Sequence, residues 1–464
     1  MHRLLVGLFA SQIVWLATVA AAACPTLASF DTGAATGQFG SVVLGPSRAP
    51  APARPSAPMP EGRLEETVVS LERSACYGRC PTYRVELRGD GTARFEGERD
   101  VLLIGERVMP LDPSAFACLL DHLREADFWS LPDEYVANVT DGPTYMLTVS
   151  IGGRAKTVKD YRGRIVGMPR AVSQIEAEID ALGAAPWING NDRTLPLLEA
   201  AGFDFRSPAG GKLLAGAVLR HNDALALALL ARGAPAWGDA PLVAADSGNA
   251  VLLKALIEAG AVGPGAPADM KERILLAAAD SGDLEVLKLA LSVGPDVNAR
   301  SARGTALVEV VDPYWSRSSG AGTRGQDQAT AVKLLLDAGA DVNAHDEDGG
   351  TALHRADYPE VVRLLIAAGA NVNARDNEGS APLHKTWNAE IARLLIEAGA
   401  EVDARDNLDR TPLLVIDDDG VALQLLQAGA DPRAADKFGE TVLKRARYHR
   451  WKQALALLKA KGIR

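Results

Sequence analysis

The short motifs that mark most enzymes are missing from this chain. Its 464 residues hold no nucleophile elbow, no phosphate-binding loop, no pair of catalytic carboxylates and no His-rich spacing that suits a metal. The sequence therefore predicts a non-enzymatic protein with no catalytic residue, cofactor or metal site. The best polar cluster for a hidden site is Asp141, Lys156, Asp160 and Tyr161, and the alternative is that these are strand-edge charges and turn residues.

Long hydrophobic runs are also scarce, since only one, from Leu4 to Ala20, approaches the length of a membrane span. It follows a short basic start and precedes three alanines, Ala21 to Ala23, which offer a small-residue cleavage site. This arrangement is typical of a secretory signal peptide, predicted at residues 1–23, with a retained N-terminal anchor as the alternative. In either case we expect the body of the protein outside the cytoplasm, in the periplasm or cell envelope.

Cysteine occurs only four times, and the first, Cys24, directly follows the predicted signal peptide. Its position resembles the lipidation site of bacterial lipoproteins, although that family prefers Leu three positions earlier, where Ala21 stands. Lipidation of Cys24 would attach the protein to a membrane, and simple cleavage is the alternative. Residues 24–63 are a Pro/Ala-rich linker, whose six prolines between 46 and 60 favour an extended, semi-rigid spacer.

Residues 64–187 show the patterns of a separate folded domain. Polar and apolar residues alternate through 83–95 and 145–159, and each segment is interrupted by a glycine turn. Helical apolar patterns begin near Pro113 and Val172. These patterns predict a small α+β domain with a largely antiparallel sheet.

The opening of this domain, Cys76 to Tyr83, reads Cys-x-x-x-Cys-Pro-x-Tyr and is followed by Gly-Asp-Gly. These elements resemble an uncharacterised bacterial domain family, which has no established activity to transfer. An extended chain would hold Cys76 and Cys80 about 13 Å apart, so a disulfide requires a turn, which Gly78 can supply. Export favours a structural disulfide; redox or metal chemistry and free thiols are the alternatives. Cys118 lies among core positions of a helix and is expected to be a small buried side chain.

A period of 30 residues dominates the C-terminal half. Gly339, Gly369, Gly399 and Gly429 each end a Leu-rich segment with a Gly-Ala stop. Between them a second signature, Thr-Ala-Leu-His at 351–354, returns as Ala-Pro-Leu-His and then as Thr-Pro-Leu-Leu. A fixed period of this size predicts a stacked solenoid.

These two signatures together are similar to the ankyrin repeat. The resemblance implies an all-α solenoid over 193–464 with about eight repeats, the first of them degenerate, and an insertion at 312–328. It also implies that His354 and His384 brace the repeats through hydrogen bonds. The predicted fold is thus mixed, with a small α+β domain followed by an ankyrin array. Solenoids present surfaces to partners more often than they form active sites.

Charge is distributed unevenly along the array. Residues 330–440 hold 21 acids and 10 bases, a net charge of −11, whereas 441–464 hold eight bases and no acid. Three adjacent repeats in the acidic block, beginning at Thr351, Ala381 and Thr411, are three residues short between the motif and the second helix. The block predicts a protein partner with a basic surface and disfavours nucleic acid, with simple solvation as the alternative.

The candidate partner-binding residues are aromatic or acidic and lie in the insertion, near the first helices or at the hairpin tips: Tyr314, Trp315, Asp376, Trp387, Asp406, Asp417, Asp418 and Asp419. Packing of Trp387 between repeats is an alternative to partner contact. The leading hypothesis is a non-enzymatic interaction module of the bacterial cell envelope that binds a protein through the concave face of the array. The alternative is an N-terminal domain that binds a small ligand or performs thiol redox chemistry, with the array as its adaptor. No pattern indicates an oligomeric state.

Overall fold

The structure is a computed structural model that describes residues 24–30, 57–138, 142–263, 266–312 and 324–463. It divides into two compact units at the boundary between Phe203 and Asp204. The predicted signal peptide, most of the linker, and the candidates Asp141, Tyr314 and Trp315 lie outside the described residues. Within the described ranges, no helix combines the length and apolarity needed to cross a bilayer.

The N-terminal unit is built on one sheet, which has seven strands in the part of the chain that the structure describes. The strands are β1 (Val68–Arg73), β2 (Thr82–Arg88), β3 (Thr92–Arg99), β4 (Gly105–Pro110), β5 (Glu134–Val136), β6 (Tyr145–Ile151) and β7 (Arg154–Tyr161). Their spatial order is β4-β3-β2-β1-β6-β7-β5, and all neighbours are antiparallel except β5 and β7. The predicted hairpins are β2–β3 and β6–β7, and β1 joins them at the centre.

Helices pack against one face of this sheet because alternate strand residues are apolar. The helices of the unit are α1 (Pro113–Glu125), α2 (Arg170–Ile179), α3 (Ala185–Ile188) and α4 (Thr194–Ala200). The Asp112 carboxylate caps α1 by accepting a 2.9 Å hydrogen bond from the Ser114 amide. A π-helical turn over Asp180–Ala184 links α2 to α3. A Cβ atom on Gly183 would lie only 2.3 Å from Val85 Cγ2, so glycine allows this turn to approach β2 closely.

The C-terminal unit is a stack of helix pairs. Across its described residues sixteen helices form eight pairs: α5 (Pro208–Leu219), α6 (Asp223–Ala231), α7 (Ala240–Asp246), α8 (Ala250–Glu258), α9 (Met270–Ser281), α10 (Leu284–Ser292), α11 (Ala306–Val310), α12 (Arg324–Asp337), α13 (Ala352–Arg355), α14 (Pro359–Ala367), α15 (Pro382–Lys385), α16 (Ala389–Glu397), α17 (Pro412–Val415), α18 (Asp419–Gln427), α19 (Val442–Tyr448) and α20 (Gln453–Ala460). First helices pack on first helices and second helices on second helices. A two-stranded hairpin, β8 (Arg300–Ser301) and β9 (Gly304–Thr305), precedes α11. The predicted mixed fold is confirmed.

The three short repeats have lost a turn from their first helix. Helices α13, α15 and α17 have four residues each, whereas α19 has seven. Their second helices, α14, α16 and α18, keep nine residues. The shortening therefore leaves the second-helix layer intact and changes the first-helix side of the array.

Asparagine side chains connect the ends of neighbouring second helices. Asn343 Oδ1 accepts a 2.8 Å hydrogen bond from the Asn371 amide, and its Nδ2 donates to the Gly369 carbonyl at 3.3 Å. Asn373 repeats both contacts one repeat later, with the Glu401 amide and the Gly399 carbonyl. These bonds pair backbone groups that a helix end leaves without an intrahelical partner. Each asparagine therefore both caps the end of a helix and connects two neighbouring repeats.

The histidines of the Leu-His motif brace the repeats, as the resemblance implies. The Thr351 amide donates to His354 Nδ1 at 3.0 Å, and His354 Nε2 donates to the Ser380 carbonyl of the next repeat at 3.1 Å. His384 makes the same pair of bonds with the Ala381 amide and the Arg410 carbonyl. Burial lowers the pKa of both imidazoles, which matches a neutral ring that accepts at Nδ1 and donates at Nε2.

Candidate functional site

A groove of about 580 Å³ lies on the first-helix side of the array. We call it the acidic groove, and it is lined by Asp246, Asp280, Ser281, Arg303, Val308, Glu309, Asp312, Glu347, Asp348 and Arg355. Six carboxylates face two guanidinium groups, which leaves an excess of four negative charges. Arg303 pairs with Asp280 at 2.8 Å and Arg355 with Asp348 at 3.5 Å. The groove can therefore accept further cationic groups.

Glu309 is the most deeply placed carboxylate of which the structure gives the contacts. It is 8% exposed and accepts a 2.5 Å hydrogen bond from Ser301 Oγ. Burial raises its pKa, although the Ser301 hydroxyl and Arg303 oppose the shift. A cation entering the groove would favour the charged form of Glu309, so the site can couple binding to deprotonation.

The short connectors between first and second helices form a row beside the groove. Four of them, at 356–358, 386–388, 416–418 and 449–452, follow α13, α15, α17 and α19. They lie in a row because the first helices stack directly on one another. Burial raises the pKa of Asp357 in the first connector, and the charge of Asp312 in the acidic groove adds to the rise. The groove and the row are thus electrostatically coupled.

Trp387 stands exposed in the second connector. Its surface is 58% accessible, which excludes the alternative that it is packed away between repeats. Tyr314 and Trp315 belong to the equivalent connector between α11 and α12, outside the described residues. Trp contributes strongly to affinity where its indole lies in a protein interface.

The Asp417–Asp419 triplet is engaged within the array. Asp417 accepts a 2.6 Å hydrogen bond from Arg445 Nη2, and Asp418 Oδ1 caps α18 through the Val421 amide at 2.9 Å. Asp419 accepts from the amides of residues 452–454 at 2.8–2.9 Å and so caps α20 of the following repeat. Partial burial of Asp419 acts to raise its pKa, but these bonds hold the pKa below its usual value. The triplet mainly joins the last two repeats.

We expect Asp419→Ala to lower the free energy of unfolding of the last repeat by about 1–2 kcal/mol, because the substitution removes the N-terminal cap of α20. Hydrogen–deuterium exchange at the α20 amides is the measurement. Asp337→Ala removes an exposed carboxylate from α12 and serves as the control. Equal exchange of α20 in the two variants would contradict the capping role.

Two of the predicted partner-binding residues, Asp376 and Asp406, have side chains with little accessible surface. The carboxylate of Asp376 accepts from the amides of Glu378 and Ser380 at 2.9 and 2.8 Å inside the hairpin turn. Asp406 does the same with the next hairpin, and Arg410 Nε donates to its second oxygen at 2.6 Å. Little of either carboxylate is accessible, because such turns need an acceptor at their centre. Their position at hairpin tips predicts exposed carboxylates, whereas in the folded hairpins both carboxylates point into the turn and accept its amide hydrogen bonds.

The hidden polar cluster of the N-terminal unit differs from the predicted one. Lys156 Nζ donates to the Leu131 carbonyl at 2.7 Å and to Asp133 at 2.9 Å, away from Asp160. Asp160 instead accepts a 2.6 Å hydrogen bond from the Gly163 amide, and its charge acts on buried Glu176 of α2, whose pKa it helps to raise. Sequence reasoning missed Glu176, although a carboxylate between the core positions of an apolar helix face is a detectable signal.

A third carboxylate and a tyrosine complete this buried acid cluster, which we define as Tyr83, Asp160, Glu176 and Asp180. Tyr83 Oη donates to Asp180 Oδ1 at 2.5 Å. Burial raises the pKa of Asp180 to about 6, although Tyr83 and Arg73 oppose the shift. Burial, together with the charges of Asp160 and Asp180, raises the pKa of Glu176 well above its usual range. The cluster therefore holds protons at pH values where exposed carboxylates are ionised.

All four cysteines are paired. Cys76 and Cys80 form the disulfide that the sequence favours, with Cα atoms 5.6 Å apart and Gly78 at φ +123° in the turn between them. Cys24 is joined to Cys118, also with 5.6 Å between Cα atoms. Cys118 is half-buried and disulfide-bonded, and not the small buried side chain that the sequence predicts, because a segment distant in sequence brings Cys24 to it. A disulfide sulfur cannot also carry a thioether-linked lipid, so this bond and lipidation of Cys24 are exclusive.

Comparison with known families covers both units. Residues 67–183 match the model of a domain of unknown function, DUF6438, and residues 321–406 match the model of ankyrin repeats in three copies. No curated protein matches the chain. Ankyrin repeats point to protein partners. The chain therefore contains ankyrin repeats in its C-terminal unit and, in its N-terminal unit, a domain that matches the uncharacterised DUF6438 family.

Proposed function

We propose that this is an exported, non-enzymatic interaction protein whose ankyrin array binds a partner with a basic surface. The acidic groove carries the proposal, because six carboxylates against two arginines leave a site that attracts Lys or Arg side chains. The connector row extends the surface, with Trp387 as its exposed aromatic anchor. Basic groups enter the groove while an apolar element of the partner covers the indole.

The cell envelope is the proposed location. The apolar run from Leu4 to Ala20 supports export. Pairing of all four cysteines supports an oxidising compartment, since disulfides rarely persist in the cytoplasm. Under this proposal the partner is an envelope protein.

The proposal is tested with Asp246→Asn/Glu309→Gln, which removes two negative charges from the acidic groove. The partner is first captured from envelope extract on the immobilised chain at low salt and identified, and its Kd is then measured. We expect the groove variant to weaken binding at least tenfold and to flatten its salt dependence, because the lost contacts are ionic. Trp387→Ala should weaken binding by a similar factor without changing the salt dependence.

The matched control is Asp337→Asn/Glu397→Gln, which makes the same change of charge on second helices, where both carboxylates are exposed and paired. This control should bind the partner as the unaltered chain does. Equal affinities of the groove variant and the control for the partner would show that the acidic groove is not the binding site.

A further inference from the structure

A buried imidazole–carboxylate pair lies against the Cys24–Cys118 disulfide. His122 Nε2 is 3.7 Å from Cys24 Sγ, and His122 Nδ1 is 2.8 Å from Glu178 Oε2. His122 is 4% exposed and Glu178 2%, whereas Cys24 is exposed. Cys24 thus lies at the surface with a sheltered base against its sulfur, and Cys118 is half-buried.

Three elements of the N-terminal unit build this arrangement. Cys118 and His122 lie four residues apart on α1, so their side chains project from the same face. Glu178 reaches the imidazole from α2. The segment 24–30 closes over the pair, with the Phe30 ring centroid 6.5 Å from that of His122. Residues from three separate stretches of chain therefore surround His122, which lies against the Cys24 sulfur.

The hydrogen bond to Glu178 decides what the imidazole can do. A carboxylate that accepts from Nδ1–H leaves Nε2 directed at the sulfur, as an acceptor when the ring is neutral and as a donor when it is protonated. Burial raises the pKa of Glu178, and its contact with His122 opposes the rise. On reduction of the disulfide, the Cys24 thiol would lie beside a base that a carboxylate orients. A disulfide whose role was only to cross-link two segments of the chain would need no such base.

We propose that Cys24–Cys118 is a thiol–disulfide exchange site, with His122 as the group that protonates and deprotonates Cys24 and Glu178 as its positioning residue. This goes beyond partner binding by the array and uses a cysteine pair other than Cys76–Cys80. The substrate class is a thiol, carried either by a protein or by a small molecule.

The exchange balances without any further reactant. A substrate thiol gives its proton to neutral His122 Nε2, and the resulting thiolate attacks Cys118 Sγ, so that a mixed disulfide forms while the Cys24–Cys118 bond breaks. Its electron pair passes to Cys24 Sγ, which takes a proton from His122 Nε2. A second substrate thiol then attacks the substrate sulfur of the mixed disulfide, and its proton passes to Cys118, which leaves as a thiol. The substrate has lost two electrons to become a disulfide, and the protein has gained them as two thiols.

The test measures reduction of the oxidised full chain by glutathione between pH 5 and 9, with differential alkylation and peptide mass spectrometry to follow each disulfide separately. We expect His122→Gln to slow reduction of Cys24–Cys118 about tenfold, because the leaving thiolate loses its proton donor. Glu178→Gln should shift the pH profile of the same bond with a smaller loss of rate. Cys76–Cys80 is the internal control, and its rate should stay unchanged in every variant.

A second measurement keeps the test informative if His122→Gln perturbs the fold. In Cys118→Ser, the free Cys24 thiol should react with iodoacetamide with an apparent pKa below the ordinary value of about 8.5. Adding Glu178→Gln should raise that apparent pKa. Faster or unchanged reduction in His122→Gln, an ordinary Cys24 reactivity profile, or a lipid-sized mass on Cys24 in protein isolated from the envelope would each overturn the proposal.

Discussion

His384→Ala is expected to lower the free energy of unfolding of the ankyrin array by about 3 kcal/mol. The substitution leaves the Ala381 amide and the Arg410 carbonyl without the partners that the imidazole provides. A buried backbone group left unpaired costs about 1–3 kcal/mol, and lost side-chain packing adds to this. Hydrogen–deuterium exchange at the amides of α16 and α18 in increasing urea measures the change for the array alone.

The matched control is His345→Ala. His345 lies exposed in a hairpin, where Nδ1 contacts the Gly349 carbonyl at 2.8 Å. Because water can replace that contact, we expect a loss below about 1 kcal/mol. Similar losses in the two variants would show that the motif histidine does not brace the stack.

The second large effect is a pH dependence of the N-terminal unit, which should lose about 3 kcal/mol of stability between pH 4 and pH 7. The pKa of Asp180 is raised to about 6 in the folded state, and that of Glu176 is raised further above its usual range. In the unfolded chain both carboxyls ionise near pH 4. The favourable contribution is therefore complete below pH 4 and disappears as pH rises through the folded-state values. Hydrogen–deuterium exchange at β1 and β6 follows this unit in the intact chain.

Asp180→Asn should flatten this pH dependence, because the amide cannot ionise and still accepts from Tyr83. Asp121→Asn changes an exposed carboxylate of α1 and should leave the curve as it is. Slower exchange of β1 and β6 at pH 7 than at pH 4.5, after correction for intrinsic rates, would contradict the acid cluster as the cause.

Features that repeat at short range could be predicted from the sequence. The glycines that end the second helices, such as Gly369 and Gly399, adopt φ values of +88° and +93°, as a left-handed helix stop requires. The β2–β3 hairpin follows equally from alternation and a glycine turn. In both cases the controlling contacts lie within one turn or one hairpin, so a local pattern contains the relevant information.

The fate of the polar candidates could not be predicted in the same way. Asp419 was expected to face a partner, yet it caps a helix that begins at Gln453. Cys24 and Cys118 are 94 residues apart, and no spacing rule connects them. Whether a carboxylate or thiol meets solvent, a helix end or another sulfur depends on which distant segment the fold brings to it.

The sequence by itself determined the fold type of each unit, the period of the array and its uneven charge. These properties follow from the periodicity and composition of the residues, which can be read along the chain without knowledge of distant contacts. Only the tertiary structure decided that Asp376 and Asp406 accept hydrogen bonds within their own turns. It also decided that six carboxylates line one groove and that His122 and Glu178 lie behind a disulfide. The physical reason is that the free energy of a polar side chain depends on its nearest hydrogen-bond or ionic partner and on its access to water. Both are set by packing between segments distant in the chain.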